Sequence, residues 1–393
     1  MSNEIEASFD VVVIGGGAIG MAVAYYLKTA SNACRVAVVE RDPAYTLAST
    51  PRASGGVRRL FALPENIQLS NFSIPVYAQF ADLMAVDGQR ADISFRKGGY
   101  LFIVPTKDVA NLQRNYETQR KHGVNVDFLE PDALKKRFPS MVVDDLAAAV
   151  HSLDDGWMDP YAALMAFRKK VRTMNVTLIQ DEVVGIEREG ALVRAVTLKS
   201  GSRINADSIV NAAGAWSPIV SEMVGQKIPV TPLRRFEHYF ECEGTIEPLP
   251  YVKDVNKLAF RPEGKGYTGG VPTLGEPRGY NFETDHDYFE NVVWPALAHR
   301  FPQFEKTKCR NTMPGLYDQN DLDGNPIIGP WQGECENFYL ATGFSGHGLM
   351  HAPATGRAIA ELILHRRFQT LDLTRLGWKR VVENKPYPEQ GII

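Results

Sequence analysis

Residues 10–20 read DVVVIGGGAIG, an apolar run that ends in a glycine-rich turn. Residues 10–14 are largely apolar and are followed directly by glycine, which predicts a short buried strand. Residues 18–28 place apolar side chains at helical spacing, and residues 35–40 form a second apolar run. This order of strand, turn, helix and strand is typical of the first unit of a doubly wound α/β sheet.

The turn after the first strand carries a GxGxxG pattern, with Gly15, Gly17 and Gly20 at its three glycine positions. Glycine at these points permits a tight turn, a close approach of backbone N–H groups to a pyrophosphate, and packing of helix on strand. The positive end of the helix then faces the phosphates. Glu40, at the end of the second strand, is expected to accept hydrogen bonds from ribose hydroxyls. The alternative is a glycine-rich turn that binds no nucleotide.

Periodicity and capping residues predict the remaining elements. The predicted helices span 65–84 (with Pro64 in the first turn), 108–122, 160–172 (opened by Asp159) and 354–364. The predicted strands span 93–104, 176–179, 183–188, 193–199, 209–211, 229–240, 257–270 and 338–341, of which 229–240 and 257–270 are expected in an antiparallel sheet. The pattern of the first third returns at the end of the chain, so we expect a discontinuous first domain with a sheet domain inserted in it.

Composition excludes several classes of protein. The chain has 393 residues, a formal net charge of −3 and 44% hydrophobic residues, which suits about two domains and gives no electrostatic footprint for nucleic acid. The start of the chain has neither a secretion signal nor the Arg-rich character of a transit peptide, and no apolar run reaches about 18 residues. We therefore expect a cytoplasmic protein without a membrane span.

The cysteines indicate no metal or redox centre. Cys34, Cys242, Cys309 and Cys335 are scattered and form no CxxC pair, so neither a zinc site nor a redox dithiol is predicted. Free thiols in a reducing compartment are the expected state.

Two further segments extend the nucleotide motif. Residues 211–217 (NAAGAWS) and 341–348 (ATGFSGHG) each follow a predicted strand with a turn of small residues. Either alone is also compatible with an ordinary strand-to-helix turn. Together with the first motif they resemble the D-amino-acid oxidase superfamily of FAD oxidoreductases, which includes glycine oxidase and sarcosine oxidase. Residues 55–59, 63–67, 367–370 and 391–393 are most similar to the branch that contains a mitochondrial FAD-dependent oxidoreductase of complex I assembly.

The resemblance implies an α/β (α+β overall) fold: a discontinuous Rossmann-like FAD-binding domain (1–88, 146–226 and 313–393) and an antiparallel-sheet substrate domain (89–145 and 227–312). It implies hydride transfer to FAD from the carbon beside an amine nitrogen, followed by hydrolysis of the imine. The residues that it assigns to the cofactor are Gly15, Gly17, Ala18, Ile19, Gly20, Glu40, Arg41, Ser54, Gly55, Gly56, Val183, Ala213, Gly214, Trp216, Gly315, Gly343, Gly346, His347, Gly348 and Leu349.

Catalytic roles are assigned to Arg58, His347 and Arg261. Arg58 is expected against the flavin ring, where a positive charge stabilises the reduced anion, and Arg261 is expected to clamp a substrate carboxylate. The alternatives are a surface pair for Arg58 and Arg59, an ion pair for Arg261, and a backbone hydrogen bond for His347. Further substrate candidates are Arg59, Tyr100, Tyr239 and Met350, with Arg52, Arg234 and Arg235 as weaker ones. Core packing is the alternative for Tyr100, Tyr239 and Tyr267, and His151, His238 and His351 are expected to be structural.

The sequence departs from the family pattern at several positions. Gly315 and Arg52 stand where relatives link FAD through cysteine or histidine, and Cys309 lies too early to substitute, so non-covalent FAD is predicted. Met350 replaces a substrate-binding lysine. Thr268 replaces a lysine tied to oxygen activation, and Lys265 is out of register, which leaves oxygen and an electron carrier both open as acceptors.

Three functions remain open from the sequence alone. The leading one is oxidation of a small amine or N-substituted amino acid. A 2-hydroxy-acid dehydrogenase of the same fold would need a base, which no sequence feature singles out. A non-catalytic FAD-binding assembly protein is the third, and self-association is left open in each case.

Overall fold

The computed structural model describes residues 7–255 and 257–390; residues 391–393, which contribute to the resemblance, lie outside this range. Its strands are β1 (Ala7–Ile14), β2 (Val36–Glu40), β3 (Gly56–Val57), β4 (Tyr100–Val104), β5 (Val126–Leu129), β6 (Ala148–Ser152), β7 (Gly156–Trp157), β8 (Thr177–Gln180), β9 (Val183–Glu189), β10 (Leu192–Leu198), β11 (Arg203–Asn211), β12 (Val230–Cys242), β13 (Tyr251–Lys253), β14 (Ala259–Glu263), β15 (Gly266–Gly270), β16 (Thr307–Asn320), β17 (Ile327–Trp331) and β18 (Cys335–Thr342).

The helices of the described chain are α1 (Ala18–Ala30), α2 (Pro64–Ala78), α3 (Phe80–Leu83), α4 (Val109–Lys121), α5 (Pro131–Arg137), α6 (Pro160–Thr173), α7 (Ser217–Glu222), α8 (Trp294–Arg300), α9 (Gly348–His365) and α10 (Lys379–Val382). None of them is both long enough and apolar enough to cross a membrane.

The first sheet has the order β17-β18-β11-β1-β2-β8, and β10 and β9 continue from β11 as an antiparallel meander. β1 is parallel to both β2 and β11, and its residues Val11 to Ile14 are buried. A strand covered on both faces requires a continuous apolar run, which is what the opening motif provides. The chain returns to this sheet at β8 to β11 and last at β17 and β18, so the doubly wound fold combines residues from both ends of the sequence.

Helix α9 starts six residues before the predicted helix, at Gly348 rather than residue 354. Pro353 lies inside it and has no N–H to donate, which normally breaks a helix. Side chains of α2 make up for the lost bonds: the Tyr77 hydroxyl donates to the Leu349 carbonyl (2.5 Å), and Ser73 Oγ accepts from Ala354 N (3.1 Å). Hydrogen bonds from α2 therefore stabilise α9 on both sides of Pro353.

The second sheet has the order β16-β12-β15-β14-β13-β4-β6-β5 and is mostly antiparallel. Its longest pairing joins β12 to β16 along the whole length of β12. One of its faces is covered by an apolar cluster that includes Phe240, Phe260, Phe301 and Phe304, and Tyr267 packs edge-on against Phe304 (4.9 Å). The opposite face of β12, β13 and β16 turns toward the first sheet and forms one wall of a cavity.

Several predicted boundaries differ from the structure. Only Tyr100–Val104 of the predicted strand 93–104 is a strand, and before it Arg96 makes a bridge to Trp157. The predicted helix 65–84 divides at Gln79 into α2 and α3. The proposed domain limits at 145/146 and 312/313 lie just before β6 and within β16, two strands of the second sheet.

Candidate functional site

A cavity of about 1280 Å³ lies between the carboxyl ends of β1, β2 and β11 and the second sheet. Sites for one small molecule usually measure about 300–1,000 Å³, so this volume suits a dinucleotide with a second molecule beside it. Ligands of doubly wound sheets bind at the carboxyl ends of the strands. We call the part lined by Gly15, Gly17, Glu40 and Trp216 the nucleotide end. We call the part lined by Arg58, Arg235, Glu237, Lys253 and His347 the charged end.

Backbone contacts explain why the opening motif requires glycine. Gly15 has a φ of +99°, and a β-carbon there would lie 2.5 Å from the Ala212 carbonyl oxygen. A β-carbon at Gly20 would lie 1.9 Å from the Gly15 carbonyl oxygen. Gly20 does not line the cavity; it lets α1 pack against the turn. The nearest atom to a β-carbon at Gly17 is Thr50 Oγ1 at 3.5 Å, so the protein alone tolerates a side chain there and only a bound ligand would exclude it.

Glu40 is held in place by two backbone donors. Its Oε2 accepts from Gly16 N and its Oε1 from Asp42 N, each at 2.8 Å. Burial raises the pKa of Glu40, against the lowering effect of these bonds. The carboxylate lines the cavity beside the start of α1, which is the position that a ribose-binding acid requires. The residues of the nucleotide end therefore fit the adenosine half of FAD.

An aromatic platform lies at the edge of the nucleotide end. The guanidinium of Arg41 lies 4.1 Å from the centroid of the Trp216 ring, and Tyr280 stacks against the same ring at 5.6 Å. Ala213, Gly214 and Val183 complete this part of the wall. Flat surfaces of this kind suit contact with a planar heterocycle.

A loop after the nucleotide end brings glycines close to the second sheet. Gly55 has a φ of +76°, and a β-carbon there would lie 2.0 Å from the Met158 carbonyl oxygen. A β-carbon at Gly56 would lie 2.5 Å from the Tyr100 hydroxyl. The Tyr100 ring stacks on Tyr251 at 4.3 Å, so these glycines let the loop lie against a pair of tyrosines that line the cavity.

Arg58 and His347 form a buried pair at the charged end. Arg58 Nη2 lies 3.1 Å from His347 Nε2, and Arg58 Nη1 donates to the Leu60 carbonyl. The Arg58 guanidinium is also 4.0 Å from the centroid of the Phe61 ring. An arginine side chain only donates, so His347 Nε2 accepts and the neutral ring carries its proton on Nδ1.

His347 Nδ1 is buried and has no hydrogen-bond partner among the described residues. Burial, followed by the nearby charge of Arg58, holds the pKa of His347 well below its usual range. His347 is therefore a neutral donor rather than a cation, and an acceptor atom on a bound ligand would satisfy its Nδ1–H. This orphaned donor is the second observation that fits a flavin in the cavity.

Two charged side chains of β12 line the charged end. Arg235 and Glu237 are two residues apart, which places them on the same side of the strand. Glu237 Oε1 accepts from Thr268 Oγ1 at 2.7 Å, and no described residue forms an ion pair with Glu237. Arg235 donates to the Arg234 carbonyl at 3.2 Å and lies 5.7 Å from the Tyr317 ring, likewise without an acid partner. Burial lowers the pKa of Arg235 and raises the pKa of Glu237 to about 7.

Lys253 adds a further cation to this end. It is the last residue of β13 and lines the cavity. Burial, followed by the charge of Arg58, lowers the pKa of Lys253 well below its usual range. Its ammonium lies 5.7 Å from the Phe102 ring.

The structure brings most of the predicted site residues together. Of the predicted cofactor residues, those lining the cavity are Gly15, Gly17, Ala18, Ile19, Glu40, Arg41, Ser54, Gly55, Gly56, Val183, Ala213, Gly214, Trp216, Gly315, Gly346, His347, Gly348 and Leu349. Arg58, Tyr100 and Met350 also line it. Gly343 lies outside the lining, where its N–H donates to Asp318 Oδ2 at 2.7 Å.

Three predicted substrate residues do not reach the cavity lining. Arg59 forms an ion pair with the fully buried Asp155 (2.8 Å). Arg261 donates to the Ser54 carbonyl (2.6 Å) and pairs with Glu263. Tyr239 donates to Glu241 (3.4 Å) on the far part of β12. The first two guanidinium groups are already neutralised by protein partners; for Arg261 an ion pair was the alternative that the sequence left open, whereas for Arg59 the alternative was a surface position.

Other sequence assignments change in the same way. Thr268 lies outside the cavity lining and holds Glu237, and Lys265 is exposed in the turn before β15. Arg234 is paired with Glu276 (2.8 Å). Arg52 and Gly315 both line the cavity and are neighbours, because a β-carbon on Gly315 would lie 3.1 Å from Arg52 Cβ.

Sequence reasoning missed Glu237, Lys253 and Tyr251. The alternation along β12 offers a signal for Glu237, since it follows Arg235 by two residues on a strand that was predicted. Nothing local distinguishes Lys253 or Tyr251, because β13 is a three-residue strand. In the described chain, no group of acidic, histidine or cysteine side chains is arranged to hold a metal ion.

Comparison with known proteins gives consistent matches. A family model described as FAD dependent oxidoreductase matches residues 10–362. The FAD-dependent oxidoreductase domain-containing protein 1 of Xenopus laevis is 38% identical over 98% of this chain and 85% of that protein. Mitochondrial dimethylglycine dehydrogenase of Mus musculus is 27% identical over 91% of this chain and 42% of its own length. The crystal structure of L-proline dehydrogenase from P. horikoshii has 26% identity and a TM-score of 0.87, covering 98% of this chain and 100% of that chain.

Proposed function

Because this chain belongs to the family of FAD-dependent oxidoreductases, we propose that it oxidises the C–N bond of a small amine or N-substituted amino acid. The cavity carries this proposal. It continues from the nucleotide end into a space lined by charged side chains. A protein that only stored FAD would not need such a space. The product imine is then hydrolysed by water.

The side chains of this protein would bind and polarise the cofactor and the substrate, while FAD would be the hydride acceptor. The turn at Gly15 to Gly17 and the carboxylate of Glu40 would hold the adenosine half. Arg58 keeps its positive charge when buried, and such a charge stabilises negative charge that develops on a neighbouring ring. His347 donates from Nδ1 to an acceptor on the cofactor or the substrate. The tyrosine pair Tyr100–Tyr251 limits the access of water.

Non-covalent binding of FAD is part of this proposal. No cysteine lines the cavity among the described residues, and its histidine, His347, is engaged by Arg58. Acid precipitation of the yellow protein should therefore release all the flavin into the supernatant. Colour that stays in the washed pellet would contradict the proposal on this point.

The test of the activity is anaerobic bleaching of the bound FAD. We expect L-proline, N-methylglycine or N,N-dimethylglycine to bleach its absorbance, and 2-hydroxyglutarate not to do so. A 2-hydroxy-acid dehydrogenase has support from Glu237, which is a suitable base for a hydroxyl proton. Bleaching by the hydroxy acid alone would establish that function instead, and no bleaching by either class would favour a non-catalytic role.

The electron acceptor is proposed to be a carrier rather than oxygen. Reduction of oxygen is helped by a fixed positive charge near the flavin. Thr268 provides none, Lys253 has a depressed pKa, and the charge of Arg58 is assigned in this proposal to the reduced flavin. An artificial acceptor should therefore reoxidise the photoreduced protein faster than air does. Reoxidation by oxygen as fast as turnover would assign the protein as an oxidase.

A further inference from the structure

Arg235 and Glu237 are the charged side chains of β12 that face the cavity without an ionic partner among the described residues. Some other charged groups of the cavity wall are engaged: Glu182 pairs with Arg41, and Asp318 accepts from the backbone at Gly343 and Phe344. Lys253 also has no acidic partner among the described residues, but burial lowers its pKa well below its usual range. A partly desolvated charge without a partner is costly, and a bound ligand of opposite charge removes that cost.

The spacing of the two groups suits a ligand with both signs of charge. Residues two apart on a strand lie about 7 Å apart along its axis, and both side chains are long enough to close on a molecule between them. A free amino acid carries a carboxylate and an ammonium group within a few bonds of each other. A simple amine would leave Arg235 unpaired, and a hydroxy acid would offer Glu237 a hydroxyl donor but no opposite charge.

The surroundings of Glu237 leave one side of its carboxylate for a ligand. Thr268 of β15 donates to Oε1, while Arg261 and Glu263 of β14 act on it from beyond hydrogen-bond distance with opposite effects on its pKa. Tyr251 and Tyr317 are also near Glu237. After burial, the charge of Glu237 raises the pKa of Tyr251, whereas for Tyr317 the lowering effect of Arg235 on the pKa comes before the raising effect of Glu237. Among the described residues, no amine or guanidinium group lies at hydrogen-bond distance from Glu237 to compete with a substrate ammonium.

We infer that Arg235 and Glu237 together select a zwitterionic amino acid, Arg235 binding its carboxylate and Glu237 taking the proton of its ammonium group. This inference rests on the proposed function. Hydride loss requires a nitrogen with a free electron pair, so the ammonium must first lose a proton. That proton passes to the Glu237 carboxylate. FAD, when bound, would accept the hydride of the C–H bond, and the nitrogen electron pair would form the C=N bond of the iminium product.

The pH dependence follows from the direction of proton transfer. Glu237 acts as a base only when ionised, and burial raises its pKa to about 7. The rate of FAD reduction by a subsaturating amino acid should therefore fall as the pH drops through neutrality. Glu237→Gln should remove this acid limb and lower the rate at neutral pH by about 10²-fold or more, and Glu237→Asp should restore part of it.

The control is Glu241→Gln, which changes the same side chain on the same strand outside the cavity lining. It should keep the wild-type rate and pH profile. Each variant is compared by FAD content and melting temperature first, so that loss of folding is not mistaken for loss of chemistry. An E237Q protein that retains both the acid limb and the wild-type rate would overturn the assignment of Glu237.

A binding measurement tests the pair without turnover. Glycine betaine is a zwitterion whose quaternary nitrogen has no electron pair and cannot lose hydride, and acetate is an anion alone. Each is titrated into the FAD-loaded protein while the flavin absorbance is followed. Arg235→Met should weaken both ligands, whereas Glu237→Gln should weaken betaine and leave acetate unchanged or tighter.

The two measurements separate the two proposals. One outcome is that amino acids bleach the FAD while the Arg235→Met and Glu237→Gln variants keep wild-type rates and affinities. In that case the proposed function stands, and the role of Arg235 and Glu237 is wrong. If no amino acid bleaches the FAD, the proposed oxidation fails, and the betaine and acetate titrations alone decide whether the pair binds a zwitterion. Equal betaine affinity in wild type and both variants would overturn the inference.

Discussion

The two ends of the cavity are built in different ways. The nucleotide end is organised around backbone: Gly15 and Gly17 lie within one turn, and two N–H groups hold the Glu40 carboxylate. The charged end consists of side chains that come from distant parts of the chain, including Arg58, Lys253 and His347. A site made from local backbone is recorded in a short motif, whereas a site made from converging side chains is not.

This difference determines how each end should respond to substitution. Changes at the nucleotide end disturb the packing of α1 on β1 and thereby the fold or the cofactor. Changes at the charged end alter unpaired groups, so they should affect rates and binding more than folding. Four predictions follow this contrast.

The largest effect is expected for Gly20→Ala. Its β-carbon would lie 1.9 Å from the Gly15 carbonyl oxygen, so α1 must move away from the turn. Overpacking usually costs about 1–3 kcal/mol; here the obstacle is a backbone carbonyl oxygen that cannot rotate aside, so we expect a larger cost that prevents normal folding. Expression yield and melting temperature measure the effect. Gly17→Ala is the matched control: it should fold normally and differ only in FAD content, and equal stability of the two variants would contradict the packing role.

Removal of the Arg59–Asp155 pair is expected to come next. The pair joins a loop beside the cavity to the second sheet, and Asp155 is fully buried. Arg59→Met would leave that carboxylate without its cation, which costs about 3–5 kcal/mol in the free energy of unfolding. Urea unfolding measures the loss. The rate of FAD reduction in the FAD-loaded variant should stay close to that of wild type. A large decrease in this rate with unchanged stability would instead assign Arg59 to substrate binding.

Acid should destabilise the second sheet through His238. Burial lowers its pKa to about 4, and its Nδ1 lies 2.9 Å from Thr312 Oγ1. The unfolded chain, with a histidine pKa of about 6.5, binds a proton between these values while the folded chain does not. Stability should therefore fall as the pH drops from about 6.5 toward 4, by up to about 3 kcal/mol.

His238→Phe tests this contribution, because it keeps an aromatic ring beside Tyr288 and Phe289 and removes the titration. Urea unfolding at about pH 5 and about pH 7.5 should differ less for this variant than for wild type. An unchanged difference would assign the acid sensitivity to other groups, such as His151 or His351, whose pKa values are also lowered by burial.

The smallest effect is expected for Arg261→Met. Arg261 lies outside the cavity lining and holds the Ser54 carbonyl, so its loss acts through a loop that reaches the cofactor and through a rise in the pKa of Glu237. Loss of one such hydrogen bond costs about 0.5–1.5 kcal/mol, or at most about tenfold in kcat/KM. A loss of about 100-fold or more specific to carboxylate substrates would place this arginine in the substrate site after all.

The membership in the FAD oxidoreductase family was predicted from glycine motifs and is confirmed by the family match. Assignments by position were less secure at the charged end. Arg59 and Arg261 were chosen because arginine binds carboxylates, but residue type alone does not show whether a nearby acid has already neutralised it. Asp155 and Glu263 do so here. Glu237 was passed over although it shares a strand face with Arg235.

The sequence by itself determined the parts that depend on local geometry. Gly15, Gly17 and Gly20 follow a buried strand and precede a helix, and sterics within this short span leave little choice of conformation. Tertiary structure decided the features that depend on neighbouring residues from other parts of the chain. Helix α9 continues through Pro353 because Tyr77 and Ser73 of α2 take its unpaired groups. Glu237 becomes a candidate base because burial raises its pKa and no described cation lies within hydrogen-bond distance of it. Burial of a side chain and pairing of its charge depend on neighbours in space, so they cannot be read from the sequence alone.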